Sequence, residues 1–277
     1  MRMNQDIRKI LVGLVGLVLL ASCKKDIEID YHQVNPLYVV EASVSNEGMK
    51  ARISMTNDMD DNTTTSDISG ATVTITGSDG SSVNLPYIND GTYRSATKGT
   101  PGVTYTIDIE VDGNHFSSSS TMQKMPTLNK FHFSWMKILN TRMLIGEVLV
   151  QDIPDEDNWY FTHLYRNNKG YRWSLMRGDL NPDGQLQSLY SIGREDDDDE
   201  DMLREGDRLR LELRSIDRKT YDYLYSMQLM GDTGNNPLPD FTGGCLGYFS
   251  AYSQVTCDVV FHKADVEEEE EDEEEEE

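Results

Sequence analysis

The sequence predicts a mainly β protein: an N-terminal β-sandwich of the immunoglobulin or transthyretin type, followed by a second β-rich domain with one packed helix. Three observations support this fold class. Short segments alternate apolar with polar residues, turn residues separate these segments, and a single segment has the apolar spacing of a helix. Hydrophobic residues make up 37% of the 277 residues, which is enough for one or two small cores.

The first predicted domain covers residues 36–125. Val73 and Ile75 lie on one face of a strand whose other face carries threonines, and residues 104–111 alternate in the same way. Turn residues end the strands, at Asn46-Glu47-Gly48, Asp79-Gly80, Asn89-Asp90-Gly91 and Asp112-Gly113. The pattern gives roughly seven strands within about 90 residues, which is typical of an antiparallel sandwich.

The second predicted domain covers residues 128–263, after a boundary at Met125-Pro126-Thr127. Residues 143–150 are almost continuously apolar, as expected of a strand that is covered on both faces. Residues 159–165 and 171–176 flank an Asn-Asn-Lys-Gly turn and therefore predict a hairpin. Leu209, Leu211 and Leu213 alternate with polar residues and predict one further strand.

One helix is predicted over residues 221–230. Ser215 or Asp217 can cap its N-terminus, and Gly231 follows its end. Tyr223, Met227 and Met230 share a face of this helix, so we expect them to pack on the sheet.

The N-terminus predicts export and lipidation. A short basic segment precedes an eleven-residue apolar run, residues 10–20, which is too short for a permanent membrane span but suits a secretory signal. Leu20-Ala21-Ser22-Cys23 then resembles a bacterial lipobox. We therefore predict a signal peptide over residues 1–22, fatty acylation (palmitate) of Cys23 and a tether over residues 23–35. An ordinary signal peptide followed by a chance cysteine is the alternative.

Residues after Cys23 bear on the destination of the chain. Lys24 and Lys25 precede the spaced acids Asp26, Glu28 and Asp30. This order resembles the short export signals of surface lipoproteins in Bacteroidota. The expected location is the outer membrane, with the protein facing the cell exterior.

The charge is strongly negative and is concentrated in two runs. The formal net charge is −24, which argues against nucleic acid as a partner because phosphates need a positive surface. Residues 195–201 and 267–277 are uninterrupted acids, so we predict a solvated acidic loop and a disordered tail over residues 264–277. Calcium binding by the loop is the alternative, although a specific site needs spaced ligands and a glycine turn.

Two cysteines remain besides Cys23. Cys245 and Cys257 lie twelve residues apart, and in an oxidising compartment we expect them to form a disulfide. Two free thiols are the alternative. Neither cysteine has a histidine or second cysteine at the spacing of metal ligands, so no metal site is predicted.

The sequence nominates no catalytic group, and we expect neither an enzyme nor a cofactor. It lacks a G-x-S-x-G elbow, an H-E-x-x-H pair and a phosphate-binding loop with its lysine. The candidate for binding is instead aromatic, because rigid rings can bind sugars or a protein partner. Its residues are Trp159, Phe161, Tyr165, Tyr171 and Trp173. Core packing and cross-strand pairing are the alternative role for these rings.

Several segments together resemble the domain-of-unknown-function 4249 lipoproteins of Bacteroidota. They are the lipobox and residues 37–41, 68–75, 91–93, 101–107 and 246–251, in this order. The resemblance implies an accessory role beside a TonB-dependent receptor, and it transfers no catalytic residues. We therefore expect a noncatalytic outer-membrane lipoprotein that captures a ligand for such a receptor. The alternative is a surface adhesin or glycan-binding protein.

Overall fold

The computed structural model describes residues 36–56, 66–139, 141–154, 156–178, 184–194, 201–233 and 237–268. Within them the chain forms sixteen strands and one α-helix, so the predicted mainly β fold with one packed helix is confirmed. The elements are β1 (Tyr38–Ser45), β2 (Gly48–Met55), β3 (Thr72–Gly77), β4 (Ser82–Asn84), β5 (Tyr87–Asn89), β6 (Thr92–Ser95), β7 (Thr104–Val111), β8 (Asn114–Thr121), β9 (Thr127–Ile138), β10 (Thr141–Gln151), β11 (Trp159–Arg166), β12 (Lys169–Arg177), β13 (Gln185–Arg194), β14 (Arg208–Ile216), α1 (Arg218–Thr233), β15 (Leu246–Val260) and β16 (Glu267–Glu268). The signal segment, the tether with Cys23 and residues 195–200 lie outside the described residues.

An eight-stranded sheet joins the two halves of the chain. Its order is β12-β11-β14-β15-β1-β2-β6-β5. The long strand β15 makes the connection, because residues 246–252 pair in parallel with β1 and residues 253–260 pair antiparallel with β14. The strands before and after the predicted boundary at residues 125–127 therefore share one sheet, and the described residues from Pro36 onward belong to one compact unit.

Two smaller sheets pack on one face of this large sheet and enclose two hydrophobic cores. The first core lies between β1, β2 and β15 and the four-stranded sheet β4-β3-β7-β8, as in a β-sandwich. Val40, Ile53, Ile75 and Ile107 are fully or almost fully buried in it. The predicted alternation of β3 is thus the alternation between the core and solvent.

The second core lies beside the first, between β11 and β14 and the four-stranded sheet β13-β10-β9-β16. Leu164, Leu211, Val148 and Tyr190 are buried there. Both cores also use β15, whose Phe249 faces the first core. The opposite face of the eight-stranded sheet carries helix α1.

Helix α1 packs on the sheet through a different stripe from the one predicted. Thr220, Tyr223 and Leu224 are buried, whereas Met227 and Met230 are 42% and 37% exposed. The predicted contact of Tyr223 is confirmed, and that of the two methionines is wrong. The helix is longer than predicted, since it covers Arg218–Thr233 and continues through Gly231. The predicted cap at Asp217 is confirmed, because its carboxylate accepts a hydrogen bond from the Thr220 N–H at 2.9 Å.

The start of the acidic tail is ordered. Glu267 and Glu268 form β16, which pairs in parallel with β9. Lys130 Nζ lies 2.9 Å from the Glu267 carboxylate, and the Arg142 guanidinium lies 2.5 Å from that of Glu268. Residues 263–265 before β16 form a short 3-10 helix. The prediction of a disordered tail is therefore wrong for residues 264–268, since Glu267 and Glu268 contact basic side chains of β9 and β10; residues 269–277 lie outside the described part.

Candidate binding cavity

A cavity of about 580 Å³ lies on the face of the eight-stranded sheet that carries α1. Strand alternation explains its position. On β1, Val40 and Val44 point into the first core, so Glu41 and Ser43 point to the other face, into the cavity. On β1 and β2 the cavity is therefore lined by the side chains that point away from the first core.

The β11–β12 hairpin supplies the aromatic wall. Its turn has Asn167 and Asn168 at φ angles of 51° and 66°, the left-handed conformation that a tight hairpin turn requires and that asparagine tolerates. The resulting register pairs His163 with Trp173. Phe161 lies 6.0 Å from Trp173 between ring centroids, so the rings form a continuous apolar surface.

Three of the five predicted aromatic residues line the cavity. These are Phe161, Tyr165 and Trp173, and the indole of Trp173 is 42% exposed. Trp159 instead packs beneath α1 as part of a third, smaller apolar cluster. Tyr171 lies on the opposite face of the hairpin, where its ring packs on the second core and the Arg172 guanidinium lies 4.3 Å from its centroid. Trp159 and Tyr171 thus match the alternative role, core packing.

Arg214 on β14 is the central charged group of the site. Its guanidinium carbon lies 4.7 Å from the ring centroid of Tyr252 and 5.3 Å from that of Phe161, as in cation–π contacts. Its Nη2 donates to the Glu212 carboxylate at 2.5 Å. Its Nε is buried and has no hydrogen-bond partner among the described residues.

The surroundings of Arg214 keep it charged. Burial acts to lower its pKa, but Tyr252 and Glu212 outweigh burial, and the pKa is raised above its usual value. Arg214 was not nominated from the sequence, because alternation with Leu209, Leu211 and Leu213 places it on the face of β14 that is expected to meet solvent. The sequence does hold one signal for its burial. Helix α1 follows β14 directly and must cover one face of the sheet.

His163 and Tyr165 form a stacked pair in the same wall. Their ring centroids are 4.1 Å apart, with an interplanar angle of 29°. Burial, and then the positive charge of Arg214, lower the pKa of His163. Burial, and then the Glu212 carboxylate, raise the pKa of Tyr165. Near neutral pH both rings are therefore uncharged and can act as hydrogen-bonding groups with apolar faces.

The opposite wall, on β1 and β2, is charged. Glu41 and Arg52 are register partners, and their charged groups lie 3.9 Å apart. Arg52 also contacts the Asp67 carboxylate at 3.2 Å. Lys50 is exposed on this wall and makes no ion pair among the described residues.

Helix α1 closes the cavity on one side. Tyr223 stacks on Tyr248 of β15 with centroids 5.1 Å apart, and Leu224 and Met227 add apolar surface. Burial raises the pKa of both Tyr223 and Tyr248 to about 12, so these hydroxyl groups stay protonated at neutral pH. The cavity thus offers ring faces, hydroxyl donors and side chains of both charges.

The predicted Cys245–Cys257 disulfide is wrong. Both cysteines are free thiols. Cys257 lies on β15 and Cys245 directly precedes that strand, so about twelve residues of extended chain place them on the order of 40 Å apart. A disulfide requires Cα atoms within about 7 Å. The chain between the two cysteines runs as one continuous strand and does not fold back into a loop.

Among the described residues, no group of three or more His, Cys, Asp or Glu side chains is arranged to hold a metal ion. The acidic run at residues 195–200, the alternative calcium site, lies outside that part of the chain. In the same part of the chain, no helix is both long and apolar enough to cross a membrane.

The fold and the cavity define a β-rich protein with a cavity of aromatic and charged side chains on one face of its largest sheet. The chain belongs to the family described as Domain of unknown function (DUF4249), whose family model matches residues 24–257. No curated protein matches its sequence. Among solved structures it is similar to the two fibronectin type-III domain segment from chicken tenascin, at 10% identity, over 82% of this chain and 100% of that one. The TM-score of 0.22 is too low to establish a shared topology.

Proposed function

We propose that the protein is a noncatalytic outer-membrane lipoprotein that captures a ligand in this cavity and assists a TonB-dependent receptor in its uptake. The observation that carries the proposal is the cavity of about 580 Å³ with its aromatic and charged walls. Its volume is in the range of sites for small ligands, which combine apolar walls with a few polar groups. Three residues nominated from the sequence, Phe161, Tyr165 and Trp173, lie in it.

Lipidation at Cys23 would place this cavity beside a receptor. The lipobox Leu20-Ala21-Ser22-Cys23 supports the anchor, and the acidic export signal after it supports exposure on the cell surface of a Bacteroidota species. A lipid confines the protein to the membrane plane and so raises its effective concentration near a receptor there. Ligand exchange between two neighbours can then proceed without high intrinsic affinity.

The test is affinity purification of the tagged, lipidated protein from native outer membranes, followed by mass spectrometry. We expect one TonB-dependent receptor at near-stoichiometric amounts. The matched control is Cys23→Ala, which removes the acyl acceptor and is expected to lose both the membrane fraction and the receptor. Repeated recovery of the lipidated protein alone would contradict the accessory role.

A second candidate is a surface glycan binder or adhesin that works without a receptor. The observation that favours it is the half-exposed Trp173 beside the stacked rings of His163 and Tyr165. Trp173→Ala is then expected to abolish binding with little change in melting temperature. Tyr87→Ala is the control, since Tyr87 is 43% exposed but lies outside the cavity on β5. A large loss of stability in Trp173→Ala would instead indicate a structural role.

A further inference from the structure

The cavity has the form of a groove that runs across the strands. Its lining residues come from six adjacent strands, from Trp173 on β12 to Arg52 on β2. Neighbouring strands are about 4.8 Å apart, so the groove is roughly 24 Å long. A volume of about 580 Å³ spread over this length fits a narrow, extended ligand better than a compact one.

The two ends of the groove differ in chemistry. On β11 and β12 the walls are aromatic, from Phe161, Tyr165 and Trp173. On β1 and β2 they are charged, with Glu41, Lys50 and Arg52. Arg214 lies between the two ends. A ligand that fills the groove therefore meets flat ring faces at one end and charged groups at the other.

Two cationic groups of the groove keep a donor without an acceptor. The Arg52 guanidinium contacts the carboxylates of Glu41 and Asp67, and Glu212 accepts from one nitrogen of Arg214. Lys50 makes no ion pair within the described residues, and the buried Nε of Arg214 has no acceptor there. The three cationic side chains and the three carboxylates balance in charge, so an anionic group of a ligand is favoured at these two donors and not by the groove as a whole.

The sheet beneath the groove favours a sugar over a peptide. The groove crosses strands whose backbone groups pair with one another, so it offers a ligand few main-chain partners. A peptide that binds by strand addition needs an exposed sheet edge. A pyranose ring instead packs its C–H face on an aromatic ring and bonds to side chains, which are the groups that this groove presents.

We propose that the groove binds an acidic oligosaccharide, with hexuronate carboxylates at Lys50 and Arg214 and pyranose rings packed on Trp173 and Tyr165. This inference rests on the proposed ligand capture and names its ligand class. The test uses isothermal titration calorimetry with tetrasaccharides: tetragalacturonate, an alginate tetramer, a hyaluronan tetrasaccharide and neutral maltotetraose. Tetragalacturonate methyl ester is the matched control, because it has the same backbone without the negative charges.

We expect at least one acidic tetramer to bind and its uncharged counterpart to bind far more weakly. Trp173→Ala should weaken binding roughly tenfold or more. Lys50→Gln should weaken binding of the acid about two- to fivefold, less at high salt, while Lys98→Gln, an exposed lysine outside the groove, should leave it unchanged. Glu212→Gln removes the competing carboxylate from Arg214 and should tighten binding, which a purely structural role would not do.

The other outcomes separate this inference from the proposed function. If the acid and its methyl ester bind equally, the inference that the ligand is acidic is overturned. If an acidic peptide binds and none of the tetrasaccharides does, the inference that the ligand is a sugar is overturned. Absence of binding to all four tetrasaccharides would overturn the inference even if a receptor co-purifies, in which case the accessory function stands. If no receptor co-purifies and no tetrasaccharide binds, both the accessory function and the inference of an acidic sugar are overturned.

Discussion

The carboxylate of Asp217 binds a segment 97 residues earlier in the chain: its Oδ2 accepts a hydrogen bond from Ser120 Oγ at 2.7 Å. The same oxygen accepts from the Thr121 N–H at 3.1 Å, while Oδ1 caps α1 through the Thr220 N–H. Ser120 Oγ in turn accepts from the Ala251 N–H of β15 at 2.8 Å. One side chain thus fixes the helix, β8 and β15 to each other.

Asp217→Ala is expected to destabilise the protein by about 1–3 kcal/mol, because it removes the helix cap and leaves buried donors without an acceptor. Urea unfolding followed by circular dichroism measures the loss. Asp222→Ala on the same helix is the control; among the described residues its carboxylate forms one exposed ion pair, with Arg218, so the change should cost less than about 0.5 kcal/mol. Equal losses in the two variants would refute the role of Asp217.

The Arg214–Glu212 pair is expected to be coupled. Arg214→Leu leaves the Glu212 carboxylate largely buried without its partner and should cost about 3 kcal/mol or more. The double variant Arg214→Leu, Glu212→Leu removes both charges and should recover part of that loss. A double-mutant cycle on urea unfolding measures the coupling, and strictly additive losses would show that the two side chains are independent.

His163 should make the stability of the protein depend on pH below neutrality. Its pKa in the folded state is lowered from 6.5 by burial and by Arg214. As the pH falls through 6.5, His163 becomes protonated in the unfolded chain but stays neutral in the folded chain. The free energy of unfolding therefore decreases until the pH reaches the pKa of the folded state. Above about pH 7.5 both states are neutral and the effect vanishes.

The measurement compares urea unfolding of the wild type and His163→Gln at pH 7.5 and pH 5. The variant should lose less stability on acidification. His262, whose pKa is raised by a hydrogen bond to Glu205, acts in the opposite direction but is present in both proteins and cancels in the comparison. Identical pH dependence in the two proteins would exclude His163 as the source.

The first two residues of the acidic tail are expected to protect an edge strand. Truncation after Val266 removes β16 and exposes the backbone groups of β9 at Ser134 and Trp135, which can then pair with another molecule. We expect dimers or larger species in size-exclusion chromatography with light scattering. Truncation after Glu268 keeps β16 and should remain like the full chain; association in both truncations would assign the effect to residues 269–277 instead.

Both Cys245 and Cys257 should react as thiols without reduction. In denaturant and without a reductant, iodoacetamide should modify both residues, as read by mass spectrometry. In the native protein Cys245 should react very slowly, because burial raises its pKa to about 12 and also blocks access. Recovery of a peptide that links the two residues would contradict the extended path of β15.

Features that depend on short-range pattern could be read from the sequence. The alternation of β3, the Asn-Asn turn between β11 and β12 and the cap at Asp217 are each set by a few neighbouring residues. The same logic would have found β13, where Leu186, Tyr190 and Ile192 alternate with exposed residues. The patterns noted above assign no strand to residues 185–194, which lead directly into the acidic run at residues 195–201.

Features that depend on distant pairing could not be read in this way. The parallel pairing of Val39 with Leu246 has no local signature. Once it is made, one face of β14 and β15 lies beneath α1, and Arg214 becomes a buried residue. The disulfide prediction failed for the same reason, since residue spacing does not tell a loop from a continuous strand. Tyr171 likewise differs from Trp173 in the face that it presents, whereas Trp159 shares the face of Trp173 but lies at the far end of its strand, beneath α1.

The position of β15 in both halves of the large sheet governs the order in which the chain can fold. β1 is among the first described strands, yet its parallel neighbour is synthesised more than 200 residues later. Until residues 246–260 emerge, β1 and β14 each have an open edge, so neither core is closed. Completion of the fold must therefore wait for nearly the whole chain, and a fragment limited to the first eight strands should be prone to aggregate.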